Sequence, residues 1–261
     1  MDKYISFSGG VESTTMCILY GKGAKAIWCD TGWEHEEMYK RVDHCEARLK
    51  VIHGGDFELI RIVPSVTAYG EKVSSLSAYI SLRKYMPTKM ARYCTDRFKI
   101  QPIEKYLKGV GECELMIGFN ADEEGRAGNL EKLKNVKYSY PLRDADYSRE
   151  MCEDILRLYD MHPNLPPYMQ RGGCQGCIFK SVAEFKALYY FNRKEFDENM
   201  ALEKSVQDQR KKFFTISMTQ RSFDDMAAEC ERELALWGRE EVERMYQKVQ
   251  PSKSCGAFCH R

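Results

Sequence analysis

No stretch of the chain approaches the roughly 18 consecutive apolar residues that span a bilayer, so no membrane partner is expected. Charge of one sign is also lacking. Lys and Arg number 40 against 39 Asp and Glu, and a net charge of +1 excludes a strong overall pull toward nucleic acid or an acidic membrane while leaving room for a local patch. There is no internal repeat and no low-complexity segment. Met1-Asp2-Lys3-Tyr4 runs straight into a strand-like segment, where a secretory signal needs a basic and then an apolar stretch. The expectation is therefore a reducing, cytoplasmic location. What the chain does have is a folded protein's balance, 43% hydrophobic and 30% charged, with enough length in 261 residues to bury a core without staples.

Eleven cysteines are present. In a reducing compartment disulfides are rare, so these residues divide between core filler and ligand or redox roles. Cys17, Cys29, Cys45, Cys113, Cys152 and Cys230 stand alone in apolar or helical stretches and are expected to pack as small hydrophobes. Cys94, Cys174, Cys177, Cys255 and Cys259 have different surroundings.

Strand-like and helix-like segments alternate along the first half. Tyr4 to Ser8 reads as a strand, followed by helical spacing over Glu12 to Tyr20. Ala24 to Cys29 is a second strand with a helix from Glu34 to Leu49; Phe57 to Val63 and Cys113 to Gly118 are a third and a fourth. This alternation predicts an α/β fold with a mostly parallel sheet flanked by helices, binding ligands beyond the carboxyl ends of its strands. Beyond residue 140 the pattern turns helical: a helix over Ser148 to Met161, a loop at Gly172 to Cys177, and helices from Val182. Ser222 and Asp225 form a capping box for a helix to about Val249, with Met226, Cys230, Leu234 and Trp237 as its core-facing stripe. The expected organisation is a nucleotide-binding domain over residues 1–180 and a helical extension with a cysteine-containing tail over 181–261.

Ser6-Phe7-Ser8-Gly9-Gly10-Val11-Glu12-Ser13-Thr14-Thr15 joins the first strand to its helix. Two glycines let the backbone approach an anion, the helix N-terminus points N–H groups at it, and Ser8, Ser13 and Thr14 add hydroxyl donors. No Gly-Lys-Ser/Thr follows, which excludes a Walker loop. The string resembles the Ser-Gly-Gly-x-Asp-Ser loop of the PP-loop ATP pyrophosphatases, the adenine nucleotide α-hydrolases, with Glu12 in place of the usual Asp. Asp30-Thr31-Gly32-Trp33-Glu34, the segment Tyr93 to Pro102, the segment Gly118 to Arg126, Tyr140-Pro141-Leu142 and Gly173-Cys174-Gln175-Gly176-Cys177 follow in order. As a set they resemble the phosphoadenosine-phosphosulfate (PAPS) reductase family within that group, over about residues 1 to 180. The resemblance implies a Rossmann-like sheet with an adenine nucleotide across its carboxyl edge.

On that resemblance Glu12 and Asp30 share a Mg²⁺ with the pyrophosphate oxygens. Asp122 and Glu123 position the ion or a substrate hydroxyl, Arg97 and Arg126 offer planar forks to phosphate or sulfate, and Lys99 adds a point charge. Asn120 stands where many relatives carry Arg. Cys174 and Cys177 have the spacing of thiolates that bind one metal or two corners of a cluster. Cys94 lies where iron–sulfur members of the family place their first cluster cysteines, often as a Cys-Cys pair, which here is Tyr93-Cys94. A 4Fe-4S cluster on Cys94, Cys174 and Cys177 is the expectation, with Cys255 or Cys259 as fourth ligand and zinc as the alternative metal. Cys255 also resembles, loosely, the nucleophile in the Cys-Gly-x-His ending of sulfonucleotide reductases.

Two enzymatic readings follow. A sulfonucleotide reductase would attack the sulfur of APS or PAPS with a cysteine thiolate and rely on a thioredoxin-like donor. An ATP-dependent sulfurtransferase would adenylate an acceptor and receive sulfur from a donor protein. The competing reading is a non-catalytic nucleotide sensor or a subunit of a nucleic-acid modification complex. A nucleic-acid acceptor is open to either, through Lys204, Arg210, Lys211, Lys212 and Arg221 interleaved with Phe213 and Phe214.

Overall fold

A computed structural model describes residues 1–88, 90–123, 133–170, 172–211 and 213–249. Arg126, Lys212, Cys255 and Cys259 fall outside the described residues. The first half builds β1 (Asp2–Ser6), α1 (Val11–Tyr20), β2 (Lys25–Cys29), α2 (Glu36–Ile52) and β3 (Glu58–Ile62). A hairpin of β4 (Val66–Ala68) and β5 (Glu71–Val73) follows, then α3 (Leu76–Arg83) and α4 (Tyr93–Thr95). A π-helical turn, Asp96–Ile100, leads into α5 (Gln101–Lys108). β6 (Cys113–Met116) and β7 (Val136–Ser139) complete the main sheet, and α6 (Pro141–Asp144), α7 (Arg149–Leu158), α8 (Val182–Phe191), α9 (Arg193–Arg210) and α10 (Phe223–Tyr246) finish the chain.

The sheet has five strands in the order β3-β2-β1-β6-β7, every neighbouring pair parallel. It is the Rossmann-like α/β fold the alternation predicts. Strand period two sends neighbouring residues to opposite faces. Ile5, Ala26, Trp28 and Met116 enter the large core under α1, α2 and α7, while Tyr4, Ile27, Cys113 and Leu115 enter a smaller one closed by Leu107 of α5. The six lone cysteines are all buried. The large core continues without a break into Phe185, Leu188, Phe196 and Phe223 of the C-terminal helices. Among the described residues no helix is long and apolar enough to cross a membrane.

The chain runs outward from β1 through β2 to β3, then returns to the other side of β1 as β6. The gap between the carboxyl ends of β1 and β6 is therefore the topological switch point where such sheets bind ligands.

Three local features depart from the sequence pattern. The Ser222–Asp225 capping box forms, but α10 breaks at Gly238, where φ is 73° and ψ 166°. Along the stripe that precedes this break, Met226 and Cys230 are buried, whereas Trp237, next to the break, is half exposed. The β4–β5 hairpin turns through Tyr69 and Gly70, at φ 52° and 86°, the sign pattern of a type I′ turn. A tyrosine in the left-handed region costs about 1–2 kcal/mol that glycine would not. β7 has only one buried residue in four and carries no apolar alternation by which to find it.

Glu203 fastens the helical layer. It is almost fully buried in α9, and its two carboxylate oxygens accept the N–H groups of Ile216 and Phe223, each at 2.7 Å. Burial pushes its carboxyl from 4.5 up to about 7. The folded state thus holds a proton that the unfolded chain has released, so the stability Glu203 contributes is full below about pH 4.5 and is lost as pH rises through about 7. Glu203→Ala, which orphans both N–H groups, should cost about 2–4 kcal/mol in urea unfolding. The gap between wild type and variant should narrow from about pH 5 to about pH 8. A gap that widens over that range would contradict the protonated carboxyl.

Candidate active site

Gly9 has φ 75°, and a Cβ there would lie 3.1 Å from Met38 Sδ, so the turn out of β1 demands glycine twice over. The Ser8 N–H donates to Ser13 Oγ at 3.1 Å, the two hydroxyls are 3.0 Å apart, and the Gly10 N–H donates to Ser8 Oγ at 3.3 Å. Gly10 is the N-cap of α1 and no side chain caps this helix end. A closed loop thus frames an N-terminus whose first amides remain to be satisfied, which is the geometry of an anion cradle. Arg41 Nε donates to Gly9 O at 3.3 Å from α2 and braces the loop. Thr14 is fully buried beside Cys45.

The loop sits at the switch point. A Cβ on Gly118, just past β6, would lie 3.2 Å from both Glu12 C and Ser13 N, so only glycine lets the two backbones meet. Asn120 Nδ2 then donates to Glu12 Oε1 at 3.0 Å, and Arg149 Nη1 donates to the same oxygen at 2.8 Å. Asp122 Oδ2 accepts the Arg149 N–H at 2.8 Å. Asn120, in the place expected of an arginine, serves Glu12, while the guanidinium reaches the site on Arg149 from α7. No motif marks Arg149; the only signal is its position directly after the N-cap Ser148.

Asp30, at the end of β2, accepts the Gly32 N–H and the Tyr39 hydroxyl on Oδ1, both at 2.8 Å. Glu12 in the first turn of α1 and Asp30 just past β2 engage separate partners, each through a single oxygen. Arg97 is held by the Tyr79 hydroxyl at 2.7 Å, and Lys99 O accepts from the Cys29 thiol at 3.6 Å, which lays the π-helical turn over the end of β2. Glu123 is partly exposed at the edge of this region.

The C-x-x-C loop is bound to the segment after β2 by backbone. The His35 N–H donates to Gly173 O at 2.5 Å and the Gln175 N–H to Trp33 O at 2.9 Å, with a β-bridge between Glu34 and Cys174. Two of the three loop glycines, Gly173 and Gly176, are sterically required. A Cβ on Gly176 would fall inside the Trp33 ring, and one on Gly173 would meet Glu34 Oε2 and lie 2.7 Å from Met38 Cγ. Met38 therefore touches the glycine of the phosphate loop on one side and of the cysteine loop on the other. Cys174 lies within electrostatic reach of both Cys177 and Cys94, although among the described residues the ligand atoms that come within 4.8 Å of one another are those of His35, Glu37 and Glu195 rather than the three sulfurs. Burial, first, and then Glu34 and the neighbouring thiols push the Cys174 thiol well above its ordinary value.

Sequence reasoning missed the cations around these thiols. Lys180 is buried, donates to Tyr168 O, and feels Cys177 and Cys174; burial lowers its pKa despite them. Arg92 stacks on Phe179 at 5.3 Å, and its Nε and Nη1 are buried without a partner among the described residues. Behind the loop, burial holds His35 down at about 4 against the pull of its bond to Glu195, so the ring is neutral at pH 7. Lys180 lies three residues past Cys177, a spacing with no established meaning; Arg92 precedes the Cys94 motif without belonging to it.

A family model described as the phosphoadenosine phosphosulfate reductase domain matches residues 3–140, just over half of the chain. The match covers the phosphate loop, Asp30, the Cys94 segment and the Gly118–Asp122 corner, and stops before the C-x-x-C. The uncharacterized nin region protein ORF290 of Escherichia phage lambda is 29% identical over 211 residues, 70% of this chain and 67% of that protein.

Gly176→Ala should lower thermal stability by about 2 kcal/mol, several degrees of melting temperature, because the added methyl displaces either the Trp33 ring or the loop. An unchanged melting curve would mean that the loop does not depend on this contact.

Proposed function

The chain belongs to the phosphoadenosine phosphosulfate reductase domain family, and from that premise we propose that it is an enzyme that uses ATP to activate an acceptor oxygen for replacement by sulfur. In this reading the phosphate loop, through Ser8, Gly9, Gly10 and Ser13, holds the nucleotide. Glu12 and Asp30 would hold Mg²⁺, which would neutralise charge building on the leaving pyrophosphate. Arg149, Arg97, Lys99 and Arg126 receive phosphate charge, and Asp122 and Glu123 order the rim. The acceptor oxygen attacks the α-phosphorus and pyrophosphate departs; hydrosulfide then displaces AMP, which carries the acceptor oxygen away, with no net oxidation or reduction.

Cys94, Cys174 and Cys177 are the residues that would hold an iron–sulfur cluster. The fit rests on the donor set and its surroundings. The soft thiols of Cys177 and Cys94 lie within electrostatic reach of Cys174, and Lys180 and Lys99 carry positive charge within reach of it, Lys180 being shared with Glu184. Burial makes the Cys174 thiol hold its proton tightly, and a metal must displace that proton. Such a cluster on three protein thiolates supplies an iron position for a sulfur species. Zinc is the alternative occupant of the same thiols, and it would need the three sulfurs to draw closer than they lie here.

One observation carries the proposal: Gly9 of the phosphate loop and Gly173 of the cysteine loop both close on Met38, so activation and sulfur delivery are separated by a single side chain. A second reading, reduction of APS or PAPS with Cys255 as nucleophile and a thioredoxin-like protein as electron donor, is favoured by the family's description.

Anaerobically purified protein should contain iron and acid-labile sulfide, and Cys174→Ser should lose most of both. Magnesium-dependent release of pyrophosphate from ATP should fall more than tenfold in Glu12→Gln and Asp30→Asn, about 1.4 kcal/mol or more. Gly10→Val should weaken nucleotide binding by a similar factor. Stoichiometric zinc without iron would remove the cluster, and sulfite formed from APS or PAPS without pyrophosphate release from ATP would select the second reading.

A further inference from the structure

A cavity of about 620 Å³ opens between the β4–β5 hairpin, α3 and the end of α9, away from the phosphate loop. Its mouth carries Tyr69, which is 73% exposed although its backbone is held in the left-handed region. Backbone strain of this kind concentrates at ligand clamps. The Arg83 guanidinium lies 5.4 Å from the Tyr69 ring centroid and 5.8 Å from that of Tyr79, so the ring is supported on one face and open on the other. Lys84 lines the same mouth, and Arg210 donates to Lys84 O at 3.0 Å.

The basic-aromatic surface expected from sequence is recomposed by this arrangement. Lys204 and Arg221 are tied to Asp224 and Glu229, and Phe214 is buried. Arg83, Lys84, Arg210 and Lys211, in contrast, form no ion pair among the described residues. Glu71 is the acidic residue of the cavity lining. A second cavity, about 450 Å³, shares Ala78 and Ser81 with the first and extends to Trp33 and Gln175. Gln175 is the residue after Cys174, so the two spaces together run from Tyr69 to the cysteine loop.

We propose that this groove docks a single-stranded nucleic acid, with a base stacked on Tyr69 and phosphates on Arg83, Lys84 and Arg210. Stacking on an aromatic face beside unpaired cations is the chemistry by which single strands are held without base-specific contacts. Its continuation to Gln175 would lead the strand toward the thiols; this step rests on the sulfur-transfer reading above, whereas the docking itself does not.

The test uses the full chain and fluorescence anisotropy with labelled single strands of RNA and DNA about 12 nucleotides long, at low and physiological salt. Wild-type protein should bind at low salt and lose affinity steeply with added salt. Tyr69→Gly removes the ring and relieves the left-handed residue, so it should melt at or above the wild-type temperature yet bind about tenfold more weakly. Arg83→Ala with Lys84→Ala should weaken binding and flatten the salt dependence. Tyr69→Gly that folds and binds like wild type would overturn the proposal. So would polyglutamate binding as tightly as the strand, which would assign the surface to an acidic protein, or AMP binding as tightly, which would assign it to a free nucleotide. Pyrophosphate release from ATP without nucleic acid should be the same in Tyr69→Gly as in wild type. Its absence from both would count against the nucleotide chemistry and leave the docking measurement standing.

Discussion

Two backbone hydrogen bonds, His35 to Gly173 and Gln175 to Trp33, hold the site together. They join the segment after β2 to a loop about 140 residues later in the chain, and together with the Gln175 side chain's bond to Glu34 O and the packing of Cys174 and Cys177 on the core they set those cysteines against the sheet edge. Everything near this seam has been shaped to permit it. Gly173 and Gly176 clear the space, Trp33 and Met38 fill it, and Thr31 Oγ1 donates to buried Glu34 at 2.7 Å to stiffen the near side. A short parallel sheet can orient only what its own strand ends carry; the seam adds to that edge a set of side chains the sheet does not own.

The sheet was legible because its signals are local. Apolar runs such as Ala26 to Cys29 end at glycine or aspartate, and the alternation with helices leaves few topologies. The phosphate loop was legible for the same reason, since its glycines and hydroxyls are contiguous. Arg149, Lys180, Arg92 and His35 were not, because each reaches the site from an unrelated segment and none is part of a short motif. The tail of the α10 stripe misled in the opposite way. Helical periodicity through Trp237 is real, but Gly238 leaves the helical region one residue later, and a periodicity argument cannot weigh a single backbone angle. Tyr69 shows a third kind of gap: sequence rules assign Asn, Asp or Gly to such a turn, so the hairpin is invisible where its residue is least expected.

Charge is distributed unevenly between the two layers of the site. At the phosphate loop, Glu12 is matched directly by Arg149 and Asn120, so that corner is balanced by contact. Around the cysteines, buried Lys180 donates to a carbonyl and is offset at longer range by Glu184 and Glu195 as well as by the thiols, half-buried Arg92 stacks on Phe179 and donates to Thr95, and His35 stays neutral. Burial makes positive charge costly, and at Lys180 that cost lowers the pKa in spite of Glu184, Glu195 and the two thiols of the cysteine loop.

Cys94 and Cys174 stand about eighty residues apart in sequence and within each other's electrostatic reach in the fold. Any group ligated by both becomes a cross-link as well as a cofactor. In the chain-entropy description, tying a loop of that length removes about 4.5 kcal/mol of freedom from the unfolded chain. The closed loop contains β6, β7 and α7, that is, one flank of the sheet together with Asn120 and Arg149. A metal at the thiols would thus restrain the flank that grips Glu12 by shortening the list of disordered states open to it, with no direct contact required.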